Sequence, residues 1–285
     1  MNNAARATAG HRQDQGAAGV VTIKVGGSIQ DDPAQLLGVA ESIAARVRRT
    51  GQPCAVVHGG GKAISAAMRQ AGLPARFVQG QRYTDEPTLA IVARVLCGQV
   101  NAELCAALAR AGLRPAPLHA QSACVLTAQR IAEPDLGLVG QVAPSGVRAD
   151  VIRSLCAAGL VPVIAPVARD ADAQGLGAFL NVNADLAGGA VAAALGSGAF
   201  LLVSDTPGVR TSPEPGSPCA GRIDAATIDR LTASGVIDGG MLPKVHACLA
   251  ALAAGAGDVR IVDGRVPDCL SPGAPGTRVV PAANG

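Results

Sequence analysis

Aromatic residues are almost missing from this 285-residue chain, which has no Trp, one Tyr (Tyr83) and three Phe (Phe77, Phe179 and Phe200). Nucleic-acid binding on a platform of stacked aromatic rings is therefore argued against. An excess of one charge is missing as well. The 24 basic and 21 acidic residues leave a net charge of +3, spread along the chain, so no nucleic-acid footprint stands out. A local site for a small anion is left open. Eight cysteines are present, but none forms a C-x-x-C pair or takes metal-ligand spacing with the four histidines. Most sit in apolar surroundings, as small buried hydrophobes do, which predicts a reduced, cytoplasmic protein without a side-chain metal site. Residues 1–19 carry Arg6, His11, Arg12 and Asp14 and no apolar core; they are read as a disordered extension rather than a signal peptide. Residues 186–204 lack any charge, yet they are rich in Ala and Gly and are interrupted by Gly196-Ser197-Gly198. A helix followed by a buried strand explains that stretch, and no membrane association is expected.

What is present is aliphatic. Hydrophobic residues make up 49% of the chain, so the core must be built from Ala, Val, Leu and Ile. Short β-rich runs at 20–25, 55–58, 161–165, 199–204 and 259–262 alternate with longer helical patterns. That alternation predicts a mostly parallel sheet covered by helices, an α/β fold. The longest helix is predicted over 87–111. Pro87 suits its first turn, Gly112 its end, and Leu89, Val92, Leu96, Val100, Leu104 and Leu108 form one apolar stripe. Residues 129–148 lack helical periodicity and read as a hairpin-bearing excursion, and 211–221 as a surface loop.

One device occurs twice. "IKVGGS" runs from a strand into Gly26-Gly27, with Lys24 just before the pair, and "VVHGGGK" runs from another strand into Gly59, Gly60 and Gly61. The second stretch fits neither the Walker pattern nor the dinucleotide fingerprint, because Ala63 and Ile64 stand where those patterns need other residues. Two bare strand ends at the carboxyl edge of one sheet could still surround an anion with backbone N–H groups. Further along, Asn181, Asn183 and Asp185 precede an Ala-rich helix, where capping alone would explain them. Lys244 sits at a helix start, where the helix dipole prefers an acid, so it is read as facing an anion.

Taken in order, Lys24-Val-Gly-Gly, His58-Gly-Gly-Gly, Arg82-Tyr-Thr-Asp85, Asn181-Val-Asn-Ala-Asp185, Ser204-Asp-Thr-Pro-Gly-Val209 and Gly239-Gly-Met-Leu-Pro-Lys244 resemble the amino acid kinase superfamily. Within it they are most similar to the N-acetylglutamate kinase family, and the resemblance spans nearly the whole chain. It implies a three-layer αβα sandwich over 20–285, with an acceptor-binding lobe at about 20–180 and an ATP-binding lobe at about 181–285. It also implies transfer of the γ-phosphoryl of MgATP to the side-chain carboxylate of N-acetyl-L-glutamate, in arginine biosynthesis. By the same resemblance Lys24 and Lys244 stabilise the transferred group and Asp185 orients both. Gly26, Gly27, Gly59 and Gly60 donate backbone N–H groups, Arg82 grips the acceptor's α-carboxylate and Asn181 bonds its acylamino group. Asp205 and Gly208 lie with the nucleotide, and Mg2+ is held mainly by the ATP phosphates. His58 is read as structural and Lys62 as surface charge. A homodimer is expected, with the 87–111 helix as its seam. Lys62, Gln81 and Tyr83 depart from the family pattern and leave the acceptor open. Another acidic amino acid, or glutamate or aminoadipate on a carrier protein, is an alternative; a non-catalytic nucleotide or amino-acid sensor is a third.

Overall fold

The computed structural model describes residues 19–120, 122–173, 178–214 and 216–282, so the extension expected at 1–19 lies almost wholly outside the described residues. The core is an eight-stranded sheet. Its six parallel strands run in the order Asp258–Asp263, Ala199–Ser204, Val21–Val25, Cys54–His58, Val161–Ile164, Pro115–Leu118. Gly276–Val279 joins antiparallel beside Asp258–Asp263, and Arg222–Ile223 completes that edge. All five strands expected from the sequence are present within one or two residues of their predicted ends.

Every residue of the strands Val21–Val25, Cys54–His58 and Ala199–Ser204 is buried, as parallel strands covered on both faces must be. Alternate side chains enter different layers. Val21, Ile23 and Val25 pack with Val39, Ile43, Leu104 and Leu108 on one side. Ala55 and Val57 pack with Ile152, Ala187 and Val191 on the other. This is the expected three-layer sandwich.

The predicted long helix spans Glu86–Arg110 in three consecutive pieces, with a π-helical segment over Arg94–Val100 between two α-helical ones. Asp85 caps it by accepting from the Thr88 N–H at 2.9 Å. Its 25 residues are long and apolar enough to cross a membrane by length and composition. However, Val92, Leu96, Val100, Leu104 and Leu108 are buried in this chain's own cores. The apolar stripe is therefore internal packing, and the opposite side of the helix, including Arg94, Gln99 and Glu103, is exposed. The excursion contains the expected hairpin, with Thr127–Arg130 antiparallel to Val139–Gln141. Val167–Asp170 and Phe179–Val182 close it into a small four-stranded sheet.

Candidate active site

Register sets the site. Val25 is level with His58 on one side and with Val203 on the other. The glycines that follow Val25 and His58 therefore emerge side by side at the carboxyl edge of the sheet. They touch so closely that a Cβ added to Gly27 would lie 2.6 Å from the nitrogen of Gly60, and one added to Gly59 would lie 2.8 Å from that of Gly27. Glycine is required at both places because two backbones occupy the space a side chain would need.

The four glycine amides are not equivalent. The N–H of Gly26 donates to Val203 O at 2.8 Å and that of Gly59 to Val25 O at 2.9 Å, so both extend the sheet's bonding. The expectation that all four donate to a ligand is corrected on this point. Among the described residues no backbone acceptor is recorded for the N–H of Gly27 or Gly60, and both line a cleft of about 240 Å³.

Lys24, Arg82, Asn181 and Asp185 line the same cleft. Lys24 is 3% exposed, and its side chain leaves the sheet toward the helix Ala184–Leu195. Gly188 lets that helix approach, since a Cβ there would be 3.3 Å from Lys24 Cβ. Asp185, three residues earlier on the same helix face, meets the lysine ammonium at 2.7 Å. The other side of the carboxylate accepts from Lys244 Nζ at 3.0 Å. Lys244 rides on the helix Met241–Ala253, which closes on Gly189; a Cβ on that glycine would be 3.0 Å from Ala247 Cα. The Gly188-Gly189 pair thus lets one helix present Asp185 to a strand-borne and a helix-borne lysine together. Both contacts are ion pairs, and the Lys244 contact is also a hydrogen bond.

Burial lowers the Lys24 ammonium below its ordinary range, against the pull of Asp185. For Asp185 burial acts to raise the carboxyl, but the two ammonium charges outweigh it and hold it below its usual value. One carboxylate faces two ammonium groups, so the triad carries an unbalanced positive charge beside two free amides.

Arg82 is buried at the opposite wall. Its Nη2 donates to Gly61 O at 3.1 Å and to Ser65 Oγ at 2.8 Å, Nη1 lies 3.0 Å from Met68 Sδ, and the guanidinium stands 4.8 Å from the Phe77 ring centre. Both forks of a guanidinium pass through Nη2, whose two hydrogens go to Gly61 O and Ser65 Oγ, so a two-pronged grip on a carboxylate would displace one of these two. Asn181 Nδ2 donates to Thr84 Oγ1 at 3.1 Å. Asn183 does cap its helix, accepting from the N–H groups of Asp185 and Leu186, as the capping reading expected.

Asp205 and Gly208 are not part of the cleft wall. Asp205 is exposed at the end of its strand, near enough for its charge to act on Lys24. Gly208 has φ of 138°, and a Cβ there would strike Thr277 Oγ1, which gives that glycine a packing reason of its own. His58 is fully buried. Its Nδ1 donates to Gly59 O at 2.8 Å while Nε2 accepts from Asn101 Nδ2 at 3.1 Å. Desolvation lowers it to about 4, so the ring is neutral. Lys62 is exposed and lies 3.5 Å from Asp31. Among the described residues no group of three or more His, Cys, Asp or Glu side chains gathers as a metal site.

The sequence matches the model of the amino acid kinase family over residues 19–263. The chain belongs to the amino acid kinase family. It is 42% identical over 243 residues to an acetylglutamate kinase of Chloroflexus aggregans, covering 85% of this chain and 91% of that one. It is 38% identical over 284 residues to an acetylglutamate kinase of Sorangium cellulosum, covering 93% and 96%. Among solved structures the fold is shared with smu.665 of Streptococcus mutans (TM-score 0.75, 24% identity, covering 92% of this chain and 98% of that one). It is also shared with a carbamate kinase of Giardia lamblia bound to AMP-PNP (TM-score 0.68, 18% identity, covering 93% and 99%). In this amino acid kinase the two glycine turns, Lys24, Asp185 and Arg82 line one cleft, and Lys244 is held to it through Asp185.

Proposed function

We propose that this chain phosphorylates the side-chain carboxylate of N-acetyl-L-glutamate with MgATP, as a step of arginine biosynthesis. The observation that carries the reading is the triad: two ammonium groups share one carboxylate and leave a net positive charge beside the unpaired Gly27 and Gly60 amides. An anionic phosphoryl group completes that arrangement. The acetylglutamate kinase relatives support the choice of acceptor.

The chemistry asks for no general base. An acceptor carboxylate with a reference pKa of ~4.3 is already ionised at neutral pH. Its oxygen bonds to the γ-phosphorus as the bond from that phosphorus to the bridging oxygen of ADP breaks, giving an acyl phosphate and ADP. The obstacle is bringing one anion up to another, so catalysis is positioning and charge neutralisation. Lys24 and Lys244 neutralise the transferred group and the leaving oxygen, Asp185 keeps both lysines aimed, and the Gly27 and Gly60 N–H groups hold phosphoryl oxygens. Mg2+ carried on the nucleotide phosphates supplies further positive charge. Arg82 takes the acceptor's α-carboxylate and Asn181 its acylamino group. The lobe carrying Lys244 and Asp205 takes the nucleotide, and two copies of the chain associate through the outer side of Glu86–Arg110.

Trapping of acyl phosphate by hydroxylamine tests this, with MgATP and N-acetylglutamate, glutamate, N-acetylaspartate or aminoadipate. Hydroxamate from N-acetylglutamate alone is the expected result. Product from none of the four, with ATP still bound, moves the acceptor to a carrier-linked amino acid. Absence of ATP binding as well overturns the kinase reading.

A further inference from the structure

Gln30 closes the short helical turn Gly27–Gln30 and lies beneath both glycine pairs, 7% exposed. Its Nε2 stands 3.4 Å from Gly26 O, 3.4 Å from Gly59 O and 3.5 Å from Val25 O. Turning the amide over would set Oε1 against three carbonyl oxygens, so the hydrogen-bond pattern assigns this orientation. Oε1 itself is buried and unpartnered among the described residues, and Gln30 also lines a second cavity of about 470 Å³. Leu36, Leu37, Val100 and Ala107 line that cavity together with Gln99, Glu103 and Arg110, and a buried Oε1 without a partner costs free energy that an apolar side chain would not.

The amide's partners explain its presence. A trans peptide holds its C=O and N–H pointing in opposite directions across one plane. Gly26 O and the Gly27 N–H belong to one such plane, and Gly59 O and the Gly60 N–H to another. We infer that Gln30 is a positioning residue, whose carboxamide holds the Gly26 and Gly59 carbonyls behind the cleft so that the N–H groups of Gly27 and Gly60 face the transferred phosphoryl. Glycine peptides rotate with little steric hindrance, so these planes need a holder. His58 Nδ1 adds a second bond to Gly59 O, at 2.8 Å, but within the hydrogen bonds described only Gln30 reaches both loops. The role assigned to the two amides rests on the phosphoryl-transfer reading of the cleft.

Two substitutions test the inference. Gln30→Met keeps the volume and removes the donor. The expected result is a fall in kcat of about tenfold or more, with the acceptor's KM within about threefold and the unfolding midpoint maintained, because transition-state hydrogen bonds are lost without loss of packing. A kcat within about twofold of the parent overturns the assignment. Gln30→Glu offers a donor only when protonated. Its activity relative to the parent should recover as pH falls from about 8 to about 6, and a flat ratio counts against the role. A readout without turnover separates this inference from the reading it rests on. The 15N–1H resonances of Gly27 and Gly60 are followed during titration with inorganic pyrophosphate, in the parent and in Gln30→Met. Shifts in the parent that shrink in the variant support the positioning role; equal shifts, or none in the parent, sink it. A parent that gives no hydroxamate yet shows those shifts removes the acceptor assignment and leaves Gln30 in place.

Discussion

Asp185 stands between two ammonium groups, its Oδ1 at 2.7 Å from Lys24 Nζ and its Oδ2 at 3.0 Å from Lys244 Nζ. Removing the shared carboxylate leaves two positive charges together, one of them deeply buried. Asp185→Ala should cost about 3–5 kcal/mol of stability, the usual penalty for stripping a buried ion pair of one partner. Chemical denaturation reads the cost, and hydroxamate formation should be lost with it.

Lys244→Met makes a cleaner catalytic test. Asp185 keeps Lys24, so the unfolding midpoint should move less than in Asp185→Ala, while kcat falls about 10²–10³-fold, as when one preorganised electrostatic contact is lost. Equal losses of stability in the two variants would mean that Lys244 is chiefly structural.

The Arg82 wall predicts opposite effects from neighbours. Arg82→Lys, which loses the planar fork, should raise the acceptor's KM by about 10–100-fold with a smaller change in kcat. Ser65→Ala frees one Nη2 hydrogen and should lower that KM. Steady-state kinetics with varied N-acetylglutamate separates the two.

His58 sets an acid limit. Buried and neutral, it titrates at about 4 in the fold against 6.5 when unfolded. Its contribution is therefore complete above pH 6.5 and is lost as pH falls toward 4, amounting to roughly 3 kcal/mol. Asp185 acts in a lower window. Its depressed carboxyl stabilises the fold above the ordinary value of 3.8 and ceases to do so as pH falls through its folded value. Denaturation at a series of pH values, with His58→Gln as comparison, should show the upper window vanish in the variant.

Gly27→Ala should be poorly tolerated, since its methyl group would sit 2.6 Å from the Gly60 nitrogen. Overpacking of this kind costs about 1–3 kcal/mol. Here it would also spread the two turns apart, so activity should fall further than stability. A variant with normal kcat would show that the loops yield without consequence.

Much of this was legible in the chain itself. The parallel sheet follows from short β-rich runs between helical patterns; Lys24 stands before a glycine pair and Lys244 at a helix start that favours an acid, whereas Asp185, which capping alone would explain, joins them only through the family resemblance. The two glycine pairs announce a close backbone approach. What escaped is what depends on register and on contacts distant in sequence. The pairing of Val25 with His58 decides that the glycines meet each other, and the bonds from Gly26 and Gly59 to neighbouring strands decide which amides remain free. Gly188 and Gly189 looked like part of an Ala-rich helix, although they are what lets that helix bring Asp185 to the lysines. Gln30 carried no signal, because its partners are carbonyl oxygens, which every residue has. The long helix showed a true apolar stripe, but periodicity does not say whether the surface it meets is its own or a partner's.

The contact of Gly27 with Gly60 gives part of the cleft a floor made of main chain. An inhibitor that hydrogen-bonds to those amides reads groups that substitution of a side chain does not remove. Replacing either glycine drives a side chain into the opposite loop or against Leu96, and so harms the enzyme before it harms the inhibitor. Drug resistance by point mutation would then have to arise at the walls, among residues such as Arg82 or Asn181, to which the proposed function assigns the acceptor.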